Sequence, residues 1–466
     1  EIADRDWSSD VCSSDLVQAF HRRSIQDRDQ FWREEATAIH WQTPFSHVVD
    51  ESKLPFAKWF VGGKTNLCFN AVDRWLDSRA DQAALIWVST EVDQEKTYTY
   101  RQLYQEVNAV AAMLKAQGVG QGDRVLIYMP MVPEAVFAML ACARLGAIHS
   151  VVFGGFASVN LAQRIDDAQP KVIVCADAGA RGGKVTPYKP LMDKALSLCT
   201  APPEKVIVVD RGLFAFEPVA GRDLDYASLR KQFDGVEIPA VWLDSSAPSY
   251  VLYTSGTTGR AKGVLLTQRS MFWVVAACWA PVAQLSDKDY VLSPLPLFHS
   301  YALNLSVLGI LATGASEYIL EKFSTSDVMK LLQAEPFTVL PGVPTMFHYL
   351  LEAARNEPAC AFPHLRVCLS AGAIMPAPIN QEFEQRFGVK LLDGYGITET
   401  STMVTMNWMD GGRTMGSCGL PVPGLSVRLI NPSTGLDVEN GEEGELIVRG
   451  PNVMLGYHRK PQETAQ

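Results

Sequence analysis

The chain has 466 residues, 47% of them hydrophobic and 20% charged, and a formal net charge of -10. This length predicts two or three packed subdomains of an ordinary globular protein. The negative charge, with no basic run to offset it, argues against a nucleic-acid-binding protein, so any anionic ligand must be met by local groups. The nine cysteines form no CxxC pair and no cluster with histidine, which predicts reduced thiols in a cytoplasmic protein without a zinc site.

The first sixteen residues are expected to lie outside the fold. Residues 10–16, Asp-Val-Cys-Ser-Ser-Asp-Leu, look like the translation of a sequencing adapter. We therefore predict a non-native, poorly ordered leader over residues 1–16 and a protein-like chain from residue 17.

Strand and helix patterns alternate in the next part of the chain. The apolar spacing predicts strands over 123–129, 147–153 and 172–177, and a helix over 133–145. This alternation predicts parallel βαβ units in a layered α/β fold. The segment Arg181-Gly182-Gly183-Lys184 follows, with two cations separated by two glycines in a flexible loop that could wrap phosphates. By residue type alone, a solvated basic turn is favoured for it.

A segment rich in hydroxyls and glycines, with one lysine, follows the apolar run 250–252. Its candidate ligand groups are Thr254, Ser255, Gly256, Thr257, Thr258, Gly259 and Lys262. Glycines let the backbone turn tightly, and N–H groups, hydroxyls and an ammonium can together replace water around phosphate oxygens. The spacing is not the Walker pattern, because Lys262 is followed by glycine instead of Ser or Thr. The alternative is a polar linker between two strands.

The longest apolar region, 291–315, is interrupted by prolines and by His299. We expect a buried strand and loop there rather than a membrane span. A lone histidine in apolar sequence is usually a core residue. Residues 338–346 predict a second buried strand with a helix start at Pro344, and this strand ends at Gly342 and Val343.

Two later segments carry groups suited to a nucleotide. Residues 365–376 predict a strand, a small-residue turn at Gly372, Ala373 and Ile374, and a helix; such a turn allows close approach of a planar ring. The run Asp393-Gly394-Tyr395-Gly396-Ile397-Thr398-Glu399-Thr400 offers an aromatic face, a hydroxyl and a carboxylate oxygen suited to Mg²⁺. The alternative for this run is a helix N-terminus capped by Thr398.

Together these motifs resemble those of the AMP-forming acyl-CoA synthetases, from about residue 31 to the end of the chain. Residues before the phosphate segment are similar to the acetyl- and propionyl-CoA synthetases, and those after it to medium- and long-chain enzymes. This difference between the two halves predicts either a natural mosaic or a sequence assembly joined artificially at a segment that family members widely share. The implied fold is α/β, with layered βαβ subdomains over 17–250 and 251–420 and a truncated small β-barrel part over 421–466. The mobile C-terminal lid domain is expected to be absent.

The resemblance also implies roles for single residues. Thr254, Ser255, Thr257, Thr258 and Lys262 would hold pyrophosphate, Thr254 with Glu399 would bind Mg²⁺, and Thr254, Lys262 and Glu399 would be the catalytic groups. The remaining assignments are Gly256, Gly259, Gly372, Ala373, Ile374, Asp393, Gly394, Tyr395, Gly396 and Thr398 to ATP or AMP, Arg181, Gly182, Gly183 and Lys184 to coenzyme A, and His299, Gly342, Val343 and Gly396 to the acyl pocket. Short-chain members carry tryptophan at the position of Gly396, so the glycine predicts space for a longer or aromatic acyl group.

The activity implied is ATP-dependent conversion of a carboxylic acid to acyl-AMP, followed by transfer to coenzyme A. ATP, Mg²⁺, coenzyme A and a small carboxylic acid are the expected ligands, with no nucleic acid and no membrane span; the acid and the oligomeric state are left open. Two alternatives remain: an adenylation domain that loads a carrier protein, and a non-catalytic nucleotide-binding fragment.

Overall fold

The computed structural model describes residues 13–53, 57–152, 154–181, 183–254 and 261–465. Its strands in chain order are β1 (His47–Asp50), β2 (Lys58–Val61), β3 (Lys64–Thr65), β4 (Ala83–Ser89), β5 (Gln94–Thr99), β6 (Arg124–Tyr128), β7 (Ile148–Val151), β8 (Val172–Ala176), β9 (Ala178–Arg181), β10 (Lys184–Pro187), β11 (Lys205–Val209), β12 (Asp223–Asp225), β13 (Leu243–Asp244), β14 (Pro248–Thr254), β15 (Lys262–Thr267), β16 (Tyr290–Ser293), β17 (Ser316–Leu320), β18 (Val339–Gly342), β19 (Val367–Ser370), β20 (Lys390–Tyr395), β21 (Thr405–Met406), β22 (Leu420–Pro421), β23 (Ser426–Ile430), β24 (Glu445–Arg449) and β25 (Gly456–Tyr457).

The α-helices are α1 (Ser13–Gln26), α2 (Arg28–Glu35), α3 (Leu67–Ala71), α4 (Leu76–Arg79), α5 (Tyr100–Ala116), α6 (Pro133–Leu145), α7 (Ser158–Ala168), α8 (Tyr188–Leu198), α9 (Tyr226–Gln232), α10 (Gln268–Val274), α11 (Ser300–Ala302), α12 (Thr325–Ala334), α13 (Pro344–Arg355), α14 (Ala377–Phe387) and α15 (Pro461–Ala465). Two π-helical segments, Val275–Trp279 and Leu303–Ile310, continue α10 and α11. Within the described ranges, no helix is both long and apolar enough to cross a membrane.

Helix α6 illustrates how the sequence sets an element. Pro133 occupies its first turn, where a missing N–H costs nothing, and Gly146 ends it in the left-handed conformation at φ 71°. Almost every side chain of α6 is buried. The helix matches the predicted range 133–145.

Two large sheets organise the described chain. Sheet A has the order β12-β11-β8-β6-β7-β14-β15-β25, and it is parallel as far as β14. Sheet B has the order β22-β21-β20-β19-β18-β16-β17-β4-β5, and its strands from β20 to β4 are parallel. The layered α/β prediction is confirmed, although β4 and β5 join sheet B with strands from after residue 251.

The carboxyl edges of the parallel strands in the two sheets meet. The backbone N–H of Leu297, just beyond β16, points to the Met131 sulfur at 3.0 Å, and Met131 follows β6. Arg211, beyond β11, pairs with Glu321, beyond β17, at 3.0 Å. Ligands of open α/β sheets bind outside the carboxyl ends of strands, so this junction is where a site is expected.

Three regions differ from prediction. Helix α1 begins at Ser13, so residues 13–16 of the predicted poorly ordered leader are helical. The second half of the apolar region 291–315 is helical, not a loop. Helix α11 and the π-helical segment are buried on all sides, so their sequence lacks the polar face by which a surface helix is recognised. After residue 421, β23 and β24 pair as a two-stranded antiparallel ribbon, whereas β22 and β25 extend the large sheets. In the described part of the chain, these strands therefore do not close into a barrel.

Candidate active site

The predicted phosphate segment lies between two strands that pair with each other antiparallel. Strand β14 ends at Thr254, which lies opposite Lys262 at the start of β15. Both side chains are partly exposed at the carboxyl edge of sheet A. Ser255, Gly256, Thr257, Thr258 and Gly259 lie outside the described residues. The two ends of the segment are thus held side by side by backbone pairing.

Strand β25 ties this pair to the later signature. The N–H of His458 donates to the Gly263 carbonyl at 2.7 Å, and the N–H of Leu455 donates to the Leu265 carbonyl at 2.9 Å. The N–H of Met454 donates to the backbone carbonyl of Glu399 at 2.8 Å. One short segment therefore contacts both motifs, which are more than 130 residues apart in the sequence.

Tyr457 joins the charged groups of the two motifs. The Lys262 ammonium lies 4.5 Å from the centre of the Tyr457 ring, and the Tyr457 hydroxyl donates to Glu399 Oε1 at 2.9 Å. Burial, with a further contribution from the Glu399 carboxylate, raises the pKa of Tyr457 to about 12, so the hydroxyl stays a proton donor at neutral pH. Lys262 and Glu399 thus belong to one junction between the sheets.

The signature itself leaves β20 and enters a short 3-10 helix, Thr398–Thr400. Tyr395 is 40% exposed, and Thr398 and Glu399 are partly exposed beside it. Buried Asn452 fixes this turn, because its amide donates to the carbonyls of Thr400 and Met403 at 3.0 and 2.8 Å.

The predicted adenine turn lies on the neighbouring strand of sheet B. Strands β19 and β20 are paired with Ser370 opposite Asp393, so Gly372–Ile374 starts beside the signature. Gly372 has φ +87°, a conformation that favours glycine, and Ile374 is 87% exposed. Burial raises the pKa of the Asp393 carboxyl to about 6. The turn therefore presents backbone and an apolar side chain to solvent at the sheet edge.

The predicted acyl residues lie near this turn but differ in their surroundings. Val343 follows β18, and its Cγ1 is 3.7 Å from the position of a Cβ on Gly372. Gly342 is buried against the Phe347 ring. His299 caps α11, with its Nδ1 accepting the Tyr301 N–H at 3.3 Å. That contact is a structural one, and a role in substrate positioning stays a prediction.

The backbone at Gly396 is closely packed in the direction in which a side chain would extend. A Cβ at this position would overlap the backbone carbonyl of Thr402 and approach the Met403 Cα at 2.8 Å. Thr402 itself has φ 104°, in a region that non-glycine residues rarely adopt. The backbone at 396 is thus closely packed in the Cβ direction, and the expectation of acyl space beside Gly396 stays a prediction.

The predicted coenzyme A loop is a β-hairpin rather than a flexible loop. Strands β9 and β10 pair with Lys184 opposite Arg181, and backbone pairing orders both sides of the turn. The Gly183 N–H donates to Glu91 at 3.0 Å, and Lys184 is exposed. Gly182 and the Arg181 side chain lie outside the described residues. The hairpin follows β8, and β8 lies three strand spacings, or about 14 Å, from β14 in sheet A.

A family model described as AMP-binding enzyme matches residues 72–458. The chain belongs to the AMP-binding enzyme family. A second model, described as acetyl-coenzyme A synthetase N-terminus, matches residues 17–71, directly after the predicted leader.

This AMP-binding enzyme is similar along most of its length to curated proteins. It is 42% identical over 459 residues to a propionate–CoA ligase of Escherichia coli strain K12, covering 93% of this chain and 70% of that protein. It is 35% identical over 473 residues to an acetyl-coenzyme A synthetase of Thiobacillus denitrificans, covering 95% and 69%. Its fold matches an acetoacetyl-CoA synthetase from Streptomyces lividans with a TM-score of 0.85 at 23% identity, covering 96% and 70%. A closer likeness of the second half to medium- and long-chain enzymes stays a prediction.

The predicted magnesium ligands of the AMP-binding enzyme are oxygen donors. The partners expected for the metal are the Thr254 hydroxyl and the Glu399 carboxylate, both hard oxygen ligands. Within the described residues, no three His, Cys, Asp or Glu side chains cluster as a metal cage. A protein that supplies one or two oxygens suits Mg²⁺ held mainly by phosphates and water.

Sequence reasoning missed Tyr457 and Asn452. Each acts through a contact with a segment more than 45 residues away, so no local periodicity reveals it. The only signal was that residues 451–464 continued the family pattern without an assigned role.

Proposed function

We propose that this chain carries the acyl-CoA ligase reaction of its family, with Mg·ATP, coenzyme A and a short carboxylic acid as substrates. In the first half-reaction a carboxylate oxygen attacks the α-phosphorus, pyrophosphate leaves, and acyl-AMP forms. In the second, the thiol of coenzyme A attacks the acyl carbon, its proton is lost to solvent, and AMP leaves. The single observation that supports this proposal is that Lys262 and Glu399 both contact Tyr457, so a cation suited to phosphate and a carboxylate suited to Mg²⁺ lie at the same junction.

Neither half-reaction needs a nucleophile from the protein, so catalysis depends on positioning and charge stabilisation. Lys262 makes no ion pair with a carboxylate among the described residues, which leaves its ammonium for the departing pyrophosphate. Tyr395 would stack on the adenine, against the turn Gly372–Ile374, and Thr398 would donate to the α-phosphate. Mg²⁺, when bound at Thr254 and Glu399, would offset phosphate charge.

The proposed substrate is a carboxylic acid with a short carbon chain. The relatives at 42% and 35% identity are named for propionate and acetate. The packed backbone beside Gly396 removes the argument for a large acyl pocket in that direction. We therefore place propionate first and keep longer and aromatic acids as the competing prediction.

A panel of acids tests the proposal. ATP–pyrophosphate exchange would be measured with acetate, propionate, hexanoate and benzoate, and AMP release would be measured with and without coenzyme A. We expect exchange to be fastest with propionate and AMP release to require coenzyme A. Exchange that is fastest with hexanoate or benzoate would contradict the short acid.

The same assays separate the two alternatives. AMP release with a phosphopantetheinyl carrier protein but not with coenzyme A would support carrier loading. Binding of ATP without any exchange would support a non-catalytic nucleotide-binding fragment.

A further inference from the structure

Lys262 and Glu399 carry opposite charges at the same junction, yet they are not paired with each other. The ammonium lies over the face of the Tyr457 ring, and the carboxylate accepts from the hydroxyl at the ring's far end. Neither residue makes an ion pair with another described side chain. Two charges that would otherwise attract each other therefore each contact a different part of the same aromatic side chain.

The backbone around Tyr457 is held firmly. Its neighbours His458 and Leu455 donate to β15 at 2.7 and 2.9 Å, and Met454 donates to the Glu399 carbonyl at 2.8 Å. On the other side, the Tyr457 N–H donates to Thr464 Oγ1 at 2.9 Å, which anchors the residue to α15. These hydrogen bonds fix the backbone of Tyr457 relative to both motifs.

An ion pair between the two charges would compete with both ligands. Lys262 would have to leave Glu399 before binding phosphate oxygens, and Glu399 would have to leave Lys262 before binding a cation. A ring that satisfies the ammonium through its face and the carboxylate through its hydroxyl costs less to displace than a direct pair.

We infer that Tyr457 is a positioning residue that holds Lys262 and Glu399 apart, keeping the ammonium available to phosphate and the carboxylate available to Mg²⁺. This inference rests on the proposed nucleotide site and assigns a role to a residue outside the two motifs. The hydroxyl orients the carboxylate, whereas the ring keeps the ammonium away from it. The two contributions are separable by mutation.

Equilibrium binding of ATP, measured by calorimetry with EDTA and across a magnesium titration, tests the two contributions. Tyr457→Phe keeps the ring and loses the hydrogen bond, so we expect ATP affinity in EDTA to stay within about twofold while the Mg²⁺ concentration needed for half-maximal tightening rises about tenfold. Tyr349→Phe, an exposed tyrosine on α13, is the matched control and should change neither quantity.

Tyr457→Ala removes the ring and allows Lys262 to pair with Glu399. We expect it to weaken ATP binding in EDTA about tenfold, and we expect the double variant Tyr457→Ala with Glu399→Gln to recover most of that loss because the competing charge is gone. Circular dichroism and thermal unfolding would confirm that each variant is folded, and Tyr457→Phe remains a test if the alanine variant is not.

The inference would be overturned if Tyr457→Phe showed the same magnesium dependence as the wild type. It would also be overturned if Tyr457→Ala and the double variant bound ATP in EDTA with equal affinity. In either case normal ATP binding by the wild type would leave the proposed function standing. Failure of the wild-type chain to bind ATP at all would overturn the proposed function, and the inference with it.

Discussion

The carboxyl edges of the two sheets differ in the chemistry they present. At the edge of sheet A lie the hydroxyl of Thr254 and the cation of Lys262, with Lys184 on the hairpin that follows β8, whereas sheet B ends in an aromatic ring, a small-residue turn and a carboxylate. The first set suits phosphate oxygens, and the second suits a purine ring and a metal ion. We propose that these two parallel scaffolds divide one ligand between them; β25 contacts both edges, through its pairing with β15 and the hydrogen bond from Tyr457 to Glu399.

The largest expected effect is on the sheet B side, at the metal ligand. Glu399→Gln keeps the size of the side chain and removes its charge, so we expect about a 10³-fold loss of ATP–pyrophosphate exchange with an unchanged unfolding temperature. Glu357→Gln, at an exposed glutamate, is the control. Full exchange activity in Glu399→Gln would show that sheet B does not supply the metal ligand.

The corresponding change on sheet A is Lys262→Met. Loss of the ammonium should lower exchange about 10²-fold, because the charge that develops on pyrophosphate loses one stabilising contact. Exposed Lys330→Met controls for the loss of a lysine. If Lys262→Met raised only the KM for the acid and left exchange at saturation unchanged, the phosphate role of sheet A would be wrong.

The hairpin β9–β10 tests whether sheet A serves the second half-reaction as well. Lys184→Ala should raise the KM for coenzyme A about tenfold and leave pyrophosphate exchange unchanged, because the first half-reaction does not involve the thiol substrate. Initial rates at varied coenzyme A, with Lys330→Ala as control, measure this. An equal loss in both half-reactions would instead indicate a general structural role.

A tryptophan at position 396 distinguishes close packing from an open acyl pocket. Because the Cβ of any side chain there meets the backbone of Thr402 and Met403, Gly396→Trp should destabilise the fold by about 1–3 kcal/mol. Gly412→Trp, at a glycine with no heavy atom within 4 Å of its Cβ position, is the matched control in thermal unfolding. A fully stable Gly396→Trp protein with a narrowed range of acids would favour the pocket.

The last prediction concerns the interior of sheet A rather than its edge. His149 is buried against Tyr250 with ring centres 4.8 Å apart, and burial lowers its pKa to about 3. The unfolded chain binds a proton at this residue below pH 6.5 and the folded chain does not, so stability is present above pH 6.5 and is lost as the pH falls toward 3. His149→Phe should flatten the denaturant-unfolding profile by up to about 1.4 kcal/mol per pH unit in that window. An unchanged slope would mean that His149 is protonated in the fold.

Local patterns predicted the elements that local physics determines. The bounds of α6 follow from Pro133, Gly146 and an apolar run, and the alternation of strands with helices over 123–177 predicted the parallel character of sheet A. The strand and turn before α14 were likewise visible in the sequence. The paired ends of the phosphate segment follow from two apolar runs that flank a turn.

Features that depend on distant contacts were not predictable in the same way. The helix within 291–315 lacks amphipathic spacing because it is buried throughout, so periodicity could not separate it from a strand. Whether a side chain fits at position 396 depends on where the backbone of Thr402 lies. The role proposed for Tyr457 depends on the pairing of its strand with β15. The residues of the candidate site were therefore chosen by motif, whereas the contacts that hold them together required the fold.

Hydrogen exchange measured by mass spectrometry on the intact chain, with and without Mg·ATP, tests most directly whether both sheet edges bind one nucleotide. We predict that ATP slows exchange together in peptides covering 248–267 and 390–406, with the same concentration dependence, and leaves the exposed face of α13 unchanged. Protection of only one of these two segments, or half-saturation at clearly different ATP concentrations, would contradict a shared site.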